Sequence, residues 1–385
     1  MKLTADWLLA EPTQTILAAL TKGGAQAYLV GGCVRNALLG APVSDLDIAT
    51  SNTPDETVRR VTQAGFKAIP TGIEHGTITA VRNHAMFEIT TFRRDIETFG
   101  RHATVAFSDN ILDDAHRRDF TVNALYLDAS GTVLDPIGEG LEDLAARRIR
   151  FVGTPENRIH EDYLRILRFF RFTAWYGDAE AGLDVEGFAA SAANQDGIEA
   201  LSKERIGHEM RKLLAAPDPA PAVASMAQSG ILARVIAGAD LRALAPLVHL
   251  ERLNYAGIEP DWLLRLTTLG GQDVARALRL SKAETRRLQV LRDHVGTTES
   301  PAELGYRLGF ADARAVLLLR AVLLQTQFDP ISLQNAEKAA AAEFPLRGAD
   351  LLDRFSGQAL GAELKRLEAL WIASGFSLTR DELLR

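Results

Sequence analysis

Two aspartates stand two positions apart in the segment 44–49, which reads SDLDIA and has the character of a short β-strand. Strand side chains two residues apart project to the same face, so Asp45 and Asp47 would present adjacent carboxylates while Leu46 and Ile48 turn to the core. Magnesium prefers oxygen ligands, and two such ions about 4 Å apart can activate an attacking hydroxyl and stabilise a departing pyrophosphate. The solvated edge of an amphipathic strand has the same pattern, so the spacing alone leaves both interpretations open.

A third carboxylate, Glu88, alternates with Phe87 and Ile89 in a second strand-like run. These two apolar neighbours would be buried, which leaves Glu88 on the polar face of its strand. From there it could join Asp45 and Asp47 as a catalytic carboxylate. It is equally consistent with an ordinary outward-facing glutamate.

A paired glycine, Gly31-Gly32, follows an apolar strand in the segment 28–40, which reads YLVGGCVRNALLG. Glycine allows a sharp turn and a close approach of backbone amides to a triphosphate. The start of the following helix would favour anionic charge, and Arg35 could pair with phosphate oxygens. A purely structural turn explains the two glycines equally well.

A basic and polar segment, RRDFTVNA at 117–124, precedes another β-like run. The rigid fork of Arg118 suits phosphate oxygens or base edges, and Asp119 beside it could hold that fork in place. The alternative is a surface salt bridge of little energetic value.

The last constellation is the segment 161–171, EDYLRILRFFR, which the pattern predicts to be helical. On one helix Asp162 and Arg165 would be neighbours at i,i+3, and Arg165, Arg168 and Arg171 would form a slowly drifting stripe. An adjacent carboxylate and guanidinium offer an acceptor and donors to the Watson–Crick edge of a nucleobase, so nucleotides could be chosen without a template. Intrahelical pairing without a ligand remains the alternative.

The elements that must position these residues divide the chain into an α+β part and a helical part. Short β-type runs are predicted at 27–30, 46–49, 77–81, 87–92, 125–128 and 132–134. Beyond Glu161 apolar residues recur at helical spacing, with predicted helices at 203–214 (N-capped by Ser202), 262–269, 274–280 and 313–324. We expect three domains, at 1–150, 151–222 and 223–385.

The composition of the chain limits its expected cellular location and its expected binding partners. The chain has 385 residues, 47% of them hydrophobic, and a single cysteine, Cys33, which excludes an intramolecular disulfide and favours a reducing, cytoplasmic location. No apolar run approaches the roughly 20 residues that span a bilayer, so we expect no membrane association. The net charge of −7 argues against RNA, but seven arginines between 147 and 171 could form a local positive groove or simply a solvated helix surface.

Taken in order, the motifs Gly-Gly-x-Val-Arg, Asp-x-Asp, Arg-Arg-Asp-Phe-Thr-Val-Asn-Ala and Glu-Asp-x-x-Arg resemble those of class II tRNA nucleotidyltransferases and bacterial poly(A) polymerases, within the polymerase-β-like superfamily. The resemblance covers roughly 28–171, and the segments 135–138 and 204–209 also resemble family segments. It implies an α+β nucleotidyltransferase head with a mixed or antiparallel sheet, followed by an all-helical neck, body and tail. The tail end of the chain, beyond about 214, carries no recognisable motif.

The resemblance also implies roles for the residues. Asp45 and Asp47 would bind Mg²⁺, while Asp162 and Arg165 would read the base of the incoming nucleotide. The nucleotide would be held by residues of the glycine turn, the RRDFTVNA segment and the neck helix, namely Gly31, Gly32, Arg35, Arg118, Asp119, Arg168 and Arg171. A flexible segment near 94–108 resembles a loop that assists the switch from C to A addition.

The implied reaction is the addition of nucleotides from CTP and ATP to the 3′ end of tRNA. An A-adding enzyme, a poly(A) polymerase and a non-catalytic RNA-binding relative stay open as alternatives, as does the oligomeric state. Two positions depart from the family pattern. Asn36 stands where aspartate is usual, and Glu139 stands where a second glycine is common.

Overall fold

The computed structural model describes residues 1–72, 76–99, 102–253 and 260–385, and the chain forms two compact units, Met1–Val235 and Ile236–Arg385. The predicted domain boundaries near 150 and 222 both lie within the first unit. They remain predictions.

The first unit contains a mixed β-sheet. Its strands, together with a separate hairpin, are β1 (Ala27–Val30), β2 (Leu46–Thr50), β3 (Lys67–Gly72), β4 (Thr77–Arg82), β5 (Ala85–Thr91), β6 (Arg93–Phe99), β7 (His102–Phe107), β8 (Tyr126–Leu127) and β9 (Val133–Leu134). Within the described residues the sheet order is β3-β4-β5-β2-β1-β8-β9, with β2 and β5 parallel and the other neighbours antiparallel. The predicted α+β head with a mixed sheet is confirmed.

The two faces of the sheet differ in polarity. Ile48, Ile78 and Ile89 are paired across β2, β4 and β5 and are almost completely buried. Because strand side chains alternate between faces, the residues next to these isoleucines project to the opposite face. That second face carries the polar residues of the site.

Several helices of the first unit pack against the sheet, and others follow it in the chain. They are α1 (Asp6–Leu9), α2 (Glu11–Thr21), α3 (Gly32–Leu38), α4 (Pro54–Gln63), α5 (Ile111–His116), α6 (Gly140–Ala145), α7 (Pro155–Glu161), α8 (Leu164–Tyr176), α9 (Val185–Ala193), α10 (Lys203–Leu214), α11 (Ala220–Gln228) and α12 (Ile231–Val235). Helix α4 packs on β3, β4 and β5, and α8 packs against α10. The predicted helix 203–214 has the expected bounds, and its N-cap Ser202 accepts a hydrogen bond from the Arg205 amide.

One prediction of local structure is wrong. The expected continuous helix over 161–171 is interrupted, because Asp162 has an extended backbone (φ −158°, ψ 107°) between α7 and α8. Its Oδ1 accepts a hydrogen bond from the Leu164 amide at 3.1 Å, a capping role that competes with helix formation. The segment 94–108, which resembles a flexible family loop, contains most of the antiparallel hairpin β6–β7, and its flexibility stays a prediction. Its β-branched and aromatic residues favour strands.

The second unit is helical, as predicted. Its helices are α13 (Leu244–Arg252), α14 (Trp262–Leu269), α15 (Val274–Ala277), α16 (Lys282–Val295), α17 (Pro301–Leu308), α18 (Phe310–Leu323), α19 (Ile331–Ala340), α20 (Gly357–Ala373) and α21 (Arg380–Leu383). Helix α18 supplies much of one core, and Trp371 lies at the centre of another. Across the described ranges of the chain, no helix combines the length and the apolar character that crossing a membrane requires.

Candidate active site

Three acidic side chains meet in one cleft on the polar face of the sheet. Asp47 on β2 is in register with Glu88 on β5, and Glu88 is in turn paired with Thr79 on β4. Asp45 immediately precedes β2 and lines the same cleft, whose volume is about 430 Å³. Ile48 is buried as expected, whereas Leu46 is only half-buried and lines the cleft. The structure therefore brings Asp47 and Glu88 together on neighbouring strands, with Asp45 beside them at the start of β2.

The electrostatics of this cleft favour a cation. Burial and the nearby Glu88 raise the pKa of Asp47 to about 6, with Arg118 acting in the opposite direction. Among the described residues, no group of three or more His, Cys, Asp or Glu side chains is close enough to hold a metal ion by itself. The carboxylates are hard oxygen donors suited to a divalent ion, and an ion here would complete its shell with substrate oxygens. The donor set thus fits a metal shared between protein and nucleotide.

A tight glycine turn separates β1 from α3, on the side of β2 opposite β5. Gly31 has φ +75° and ψ −121°, a conformation that side-chain-bearing residues rarely adopt. A Cβ added there would lie 3.5 Å from Nη1 of Arg118 and 3.8 Å from the carbonyl oxygen of Asn123. The structure therefore places the Arg118 guanidinium directly over the glycine turn. Gly32 begins α3 and lies beside Nη2 of Arg35.

The carboxylate that orients Arg118 is Asp114, and the expectation that Asp119 holds this arginine is wrong. The Asp114 side chain is fully buried, and its Oδ2 accepts hydrogen bonds from Arg118 Nη2 at 2.7 Å and from the Tyr126 hydroxyl at 2.8 Å. Burial alone would raise the pKa of Asp114, but Arg118 and Arg117 lower it to about 2. Sequence reasoning missed Asp114, although its i,i+4 spacing from Arg118 was a usable signal.

Asp119 instead joins the segment after α5 to helix α8. Its Oδ2 accepts a hydrogen bond from Nε of Arg168 at 2.7 Å, and its Oδ1 accepts one from Nδ2 of Asn123 at 2.9 Å. Although burial would raise the pKa of Asp119, Arg168 and Asn123 lower it to about 2. Asp119 is therefore an ionised anchor for Arg168.

Arg35 is buried and extends this network to α3. It donates hydrogen bonds to Asn123, to Oδ1 of Asn36 at 2.8 Å and to the Tyr176 hydroxyl at 2.9 Å. Its guanidinium carbon also lies 4.0 Å from the centroid of the Tyr176 ring. With these partners Arg35 ties the glycine turn to α8, and Asn123 and Tyr176 are members of the site that sequence reasoning missed.

Arg171 lies with Arg168 on α8 and is a further cationic side chain of the site. Its Nε donates to Oε2 of the buried Glu209 on α10 at 2.6 Å. The ring of Phe172 lies 4.5 Å from Arg171 and 5.2 Å from both Arg35 and Arg168, measured from ring centroid to guanidinium carbon. This buried ring, which belongs to none of the sequence motifs, packs against all three guanidinium groups and fixes their spacing.

Asp162 and Arg165 are close in sequence but are not paired with each other. Oδ2 of Asp162 accepts a hydrogen bond from Arg205 on α10 at 2.6 Å, while Arg165 pairs with Glu161. Arg165 also donates to the carbonyl oxygen of Arg117 at 3.2 Å. Both side chains are partly exposed, but each already has a partner that a base would have to displace or share.

The arginine-rich stretch does not form an open positive groove. Six of its arginines lie within ion-pair distance of a carboxylate, namely Arg148, Arg150, Arg158, Arg165, Arg168 and Arg171.

The two departures from the family pattern are compatible with the structure around them. Asn36 accepts from Arg35 and donates to the carbonyl oxygen of Pro42, and Glu139 adopts a right-handed backbone that needs no glycine.

Comparisons with known proteins show which family this chain resembles. Residues 27–150 match the family model described as "Poly A polymerase head domain", and residues 183–240 match "Probable RNA and SrmB-binding site of polymerase A". The human protein "CCA tRNA nucleotidyltransferase 1, mitochondrial" is 33% identical over 98% of this chain and 90% of its own length. The "CCA-adding enzyme" of Streptococcus gordonii is 34% identical over 92% of this chain and 90% of its own length.

Solved structures give the same result. The CCA-adding enzyme of Bacillus stearothermophilus in complex with CTP is 28% identical, with a TM-score of 0.74 over 94% of this chain and 91% of that one. The Thermotoga maritima CCA-adding enzyme complexed with tRNA, at 17% identity and a TM-score of 0.71, shares the fold. The fold is that of a polymerase-β-like nucleotidyltransferase, a class that uses divalent metal. Within that class, the chain belongs to the CCA tRNA nucleotidyltransferase family.

Proposed function

We infer that this enzyme adds CMP and AMP, from CTP and ATP, to the 3′ end of tRNA, so building or repairing the CCA terminus. The observation that carries the inference is the register of Asp47 with Glu88, beside a glycine turn overlaid by Arg118. Full-length similarity to CCA-adding enzymes supports the same activity.

Mg²⁺ is the ion we propose for the cleft, held by Asp45 and Asp47 with Glu88 as the third carboxylate. When bound, it would promote attack by the acceptor hydroxyl and offset the charge that develops on the reacting phosphate. The protein's own part in the reaction is positioning and electrostatics.

The triphosphate would lie on the Gly31 turn, with the rigid fork of Arg118 on its oxygens. Asp114 and Tyr126 hold that fork in place before any substrate arrives, so little side-chain entropy is lost on binding. Arg168 and Arg171 are proposed to contact the nucleotide from α8, after partial release from Asp119 and Glu209. Arg35 acts by holding Asn123 and Tyr176 together.

Base selection is assigned to Asp162 and Arg165, as the family resemblance implies. Their side chains carry the acceptor and the donors that distinguish C and A from G and U. Because Arg205 and Glu161 occupy them in the free protein, the incoming base would share or replace those contacts.

The test uses transcripts of one tRNA that end before CCA, after C or after CC, each incubated with one labelled nucleotide at a time. We expect CTP to extend the first two and ATP to extend the third, with no addition after metal is chelated. AMP addition only after CC would identify an A-adding enzyme, and repeated AMP addition to unrelated RNA would identify a poly(A) polymerase.

Replacement of Asp47 tests the catalytic centre. Asp47→Ala should lower incorporation at least ~10²-fold, because metal stabilisation of the transition state is worth several kcal/mol. Asp55→Ala, which removes an exposed carboxylate at the start of α4, is the matched control and should retain activity. Near-normal incorporation by a folded Asp47→Ala variant would refute the assignment.

A cytoplasmic location stays a prediction from composition.

A further inference from the structure

The second unit contains a cavity that the proposed reaction does not use. It lies between the segment just before α13 and the C-terminal ends of α14, α16 and α18, and its volume is about 370 Å³. Most of its lining is apolar, with Ala243, Val295, Val322 and Leu323 among the residues that form it. Cavities of this size, with mainly apolar walls and a few polar groups, are typical of sites for small molecules.

Arg292, near the end of α16, lines this cavity with most of its hydrogen-bonding capacity unused. A guanidinium group carries five N–H donors. One of them, on Nη2 of Arg292, donates to the carbonyl oxygen of Gly270 at 2.7 Å. Across the part of the chain that the structure describes, this side chain has no other hydrogen-bond partner and no carboxylate within ion-pair distance. Arg292 therefore retains donors for a ligand in the cavity.

Another arginine of α16 shows which partner Arg292 lacks. Arg287 is also half-buried, and it forms ion pairs with Asp261 at 2.7 Å and with Asp312 at 2.8 Å. Burial by itself would lower the pKa of Arg287, but these two carboxylates raise it above its usual value. At Arg292, burial lowers the pKa and no carboxylate offsets this effect. An anion beside Arg292 would supply what the protein itself provides to Arg287.

The charges around the cavity favour a single negative charge on that ligand. Arg242 also lines the cavity, but it is already paired with Asp240, another lining residue, at 2.5 Å. These two charges cancel, so that of Arg292 is the one left without compensation. The planar fork of an arginine binds a carboxylate through two parallel hydrogen bonds. One carboxylate therefore matches the cavity better than a phosphate dianion does.

We propose that this cavity binds a small amphipathic carboxylate, with the carboxylate group on Arg292 and an apolar body against Val295, Val322 and Leu323. Leu323 is 39% exposed, and the body of the ligand would cover it. The site lies entirely within the second unit. Its occupancy can therefore be measured whether or not the enzyme catalyses the reaction proposed above.

The first experiment measures the binding of straight-chain carboxylates to the full-length protein by isothermal titration calorimetry. We expect hexanoate to bind at least about tenfold more tightly than acetate, because each buried methylene strengthens binding roughly fourfold. Hexanamide, which has the same shape but no charge, should bind at least about tenfold more weakly than hexanoate. The proposal is overturned if hexanoate does not bind, if hexanamide equals it, or if inorganic phosphate binds more tightly.

Substitution of Arg292 tests the position of the carboxylate. Arg292→Gln should weaken hexanoate binding at least about tenfold, since the charge and the fork are both lost. Arg286→Gln removes an exposed arginine of the same helix that does not line the cavity, and it should bind hexanoate as the wild type does. Equal affinities of the two variants would show that hexanoate binds elsewhere and would refute the proposal.

A second readout uses the wild-type protein and does not depend on the folding of a variant. Phenylglyoxal modifies accessible arginines, and modification of Arg292 would block trypsin there and leave the peptide 288–307 uncut. We expect hexanoate to slow the modification of Arg292 and to leave that of Arg286 unchanged. Equal protection of both arginines, or protection of neither, contradicts a carboxylate bound at Arg292.

A phosphate group of bound RNA is the alternative anion for Arg292. The KM for the tRNA transcript separates the two ligands, because it should be the same for Arg292→Gln and Arg286→Gln if Arg292 serves a small carboxylate. A rise in this KM for Arg292→Gln alone would assign Arg292 to RNA and overturn the proposal.

Discussion

Substitution of Asp114 tests whether a buried carboxylate outside the cleft prepares the phosphate site. Asp114 is fully buried and accepts hydrogen bonds from Arg117 at 2.8 Å, Arg118 at 2.7 Å and Tyr126 at 2.8 Å. Asp114→Asn keeps the shape but directs an amide donor at one of these donors. Removing one partner of a buried ion pair costs about 3–5 kcal/mol, and since both arginines retain some exposure we expect roughly 2–4 kcal/mol.

The pH dependence gives a second value for the same interaction. The pKa of Asp114 is lowered from an ordinary 3.8 to about 2, a shift that corresponds to about 2 kcal/mol of stability when the carboxylate is ionised. Because the folded-state pKa is the lower one, this stability is fully present above about pH 4 and is lost as the pH falls through about 2. The wild-type protein and Asp114→Asn should therefore converge in unfolding free energy at acid pH.

The assay combines urea denaturation with steady-state kinetics. For Asp114→Asn we expect the unfolding free energy to fall by roughly 2–4 kcal/mol and the KM for CTP to rise about tenfold, because Arg118 loses its orientation. The KM for the tRNA transcript should not change. Asp113→Asn, one residue earlier on α5, removes the same charge but only a hydrogen bond from Ser108, and serves as the control. Equal effects of the two substitutions would refute the reasoning.

Two further predictions concern the turn and the base-reading residues. Gly31→Ala should cost about 1–3 kcal/mol in backbone strain and impair CTP binding, whereas Gly24→Ala, also at positive φ but remote from the site, should affect stability alone. Denaturation curves and the KM for CTP decide this, and wild-type stability of Gly31→Ala would contradict it. Arg165→Ala should blur the discrimination between CTP and ATP in single-nucleotide incorporation. Arg158→Ala breaks an ion pair with the same Glu161 and should leave the discrimination between CTP and ATP unchanged. Equal loss of discrimination in both variants would indicate that Arg165 has a structural role.

The sequence predicted elements well wherever their signal is local. The strands around Leu29, Ile48 and Ile89 follow from alternating apolar residues, and α10 and α14 have the predicted bounds. Strand β3 was missed because Pro70 is poorly suited to a strand interior. The structure explains its presence, since β3 lies at the edge of the sheet and its pairing is irregular between Ile69 and Gly72.

Site residues were predictable by type but not by partner. The juxtaposition of Asp47 and Glu88 follows from strand alternation once β2 and β5 are paired, whereas Asp45 precedes the strand. The ion pairs that orient the arginines, by contrast, join residues 43 positions apart for Asp162–Arg205 and 49 apart for Asp119–Arg168. Spacing along one helix contains no information about such contacts. Local spacing suggested Arg118–Asp119 and Asp162–Arg165. Tertiary packing instead joins Asp119 to Arg168 and Asp162 to Arg205, while Arg118 and Arg165 pair at i,i+4 spacing with Asp114 and Glu161.

Carboxylates of the protein neutralise most arginines of the arginine-rich stretch, and this affects how the acidic protein binds polyanions such as RNA. Each guanidinium that is paired with an internal carboxylate has its charge largely neutralised. It therefore adds little to the long-range electrostatic attraction of RNA. A ligand gains the full interaction only by displacing the carboxylate, which demands correctly placed oxygens. Nucleic acid that does not present oxygens at these positions therefore gains little from these arginines.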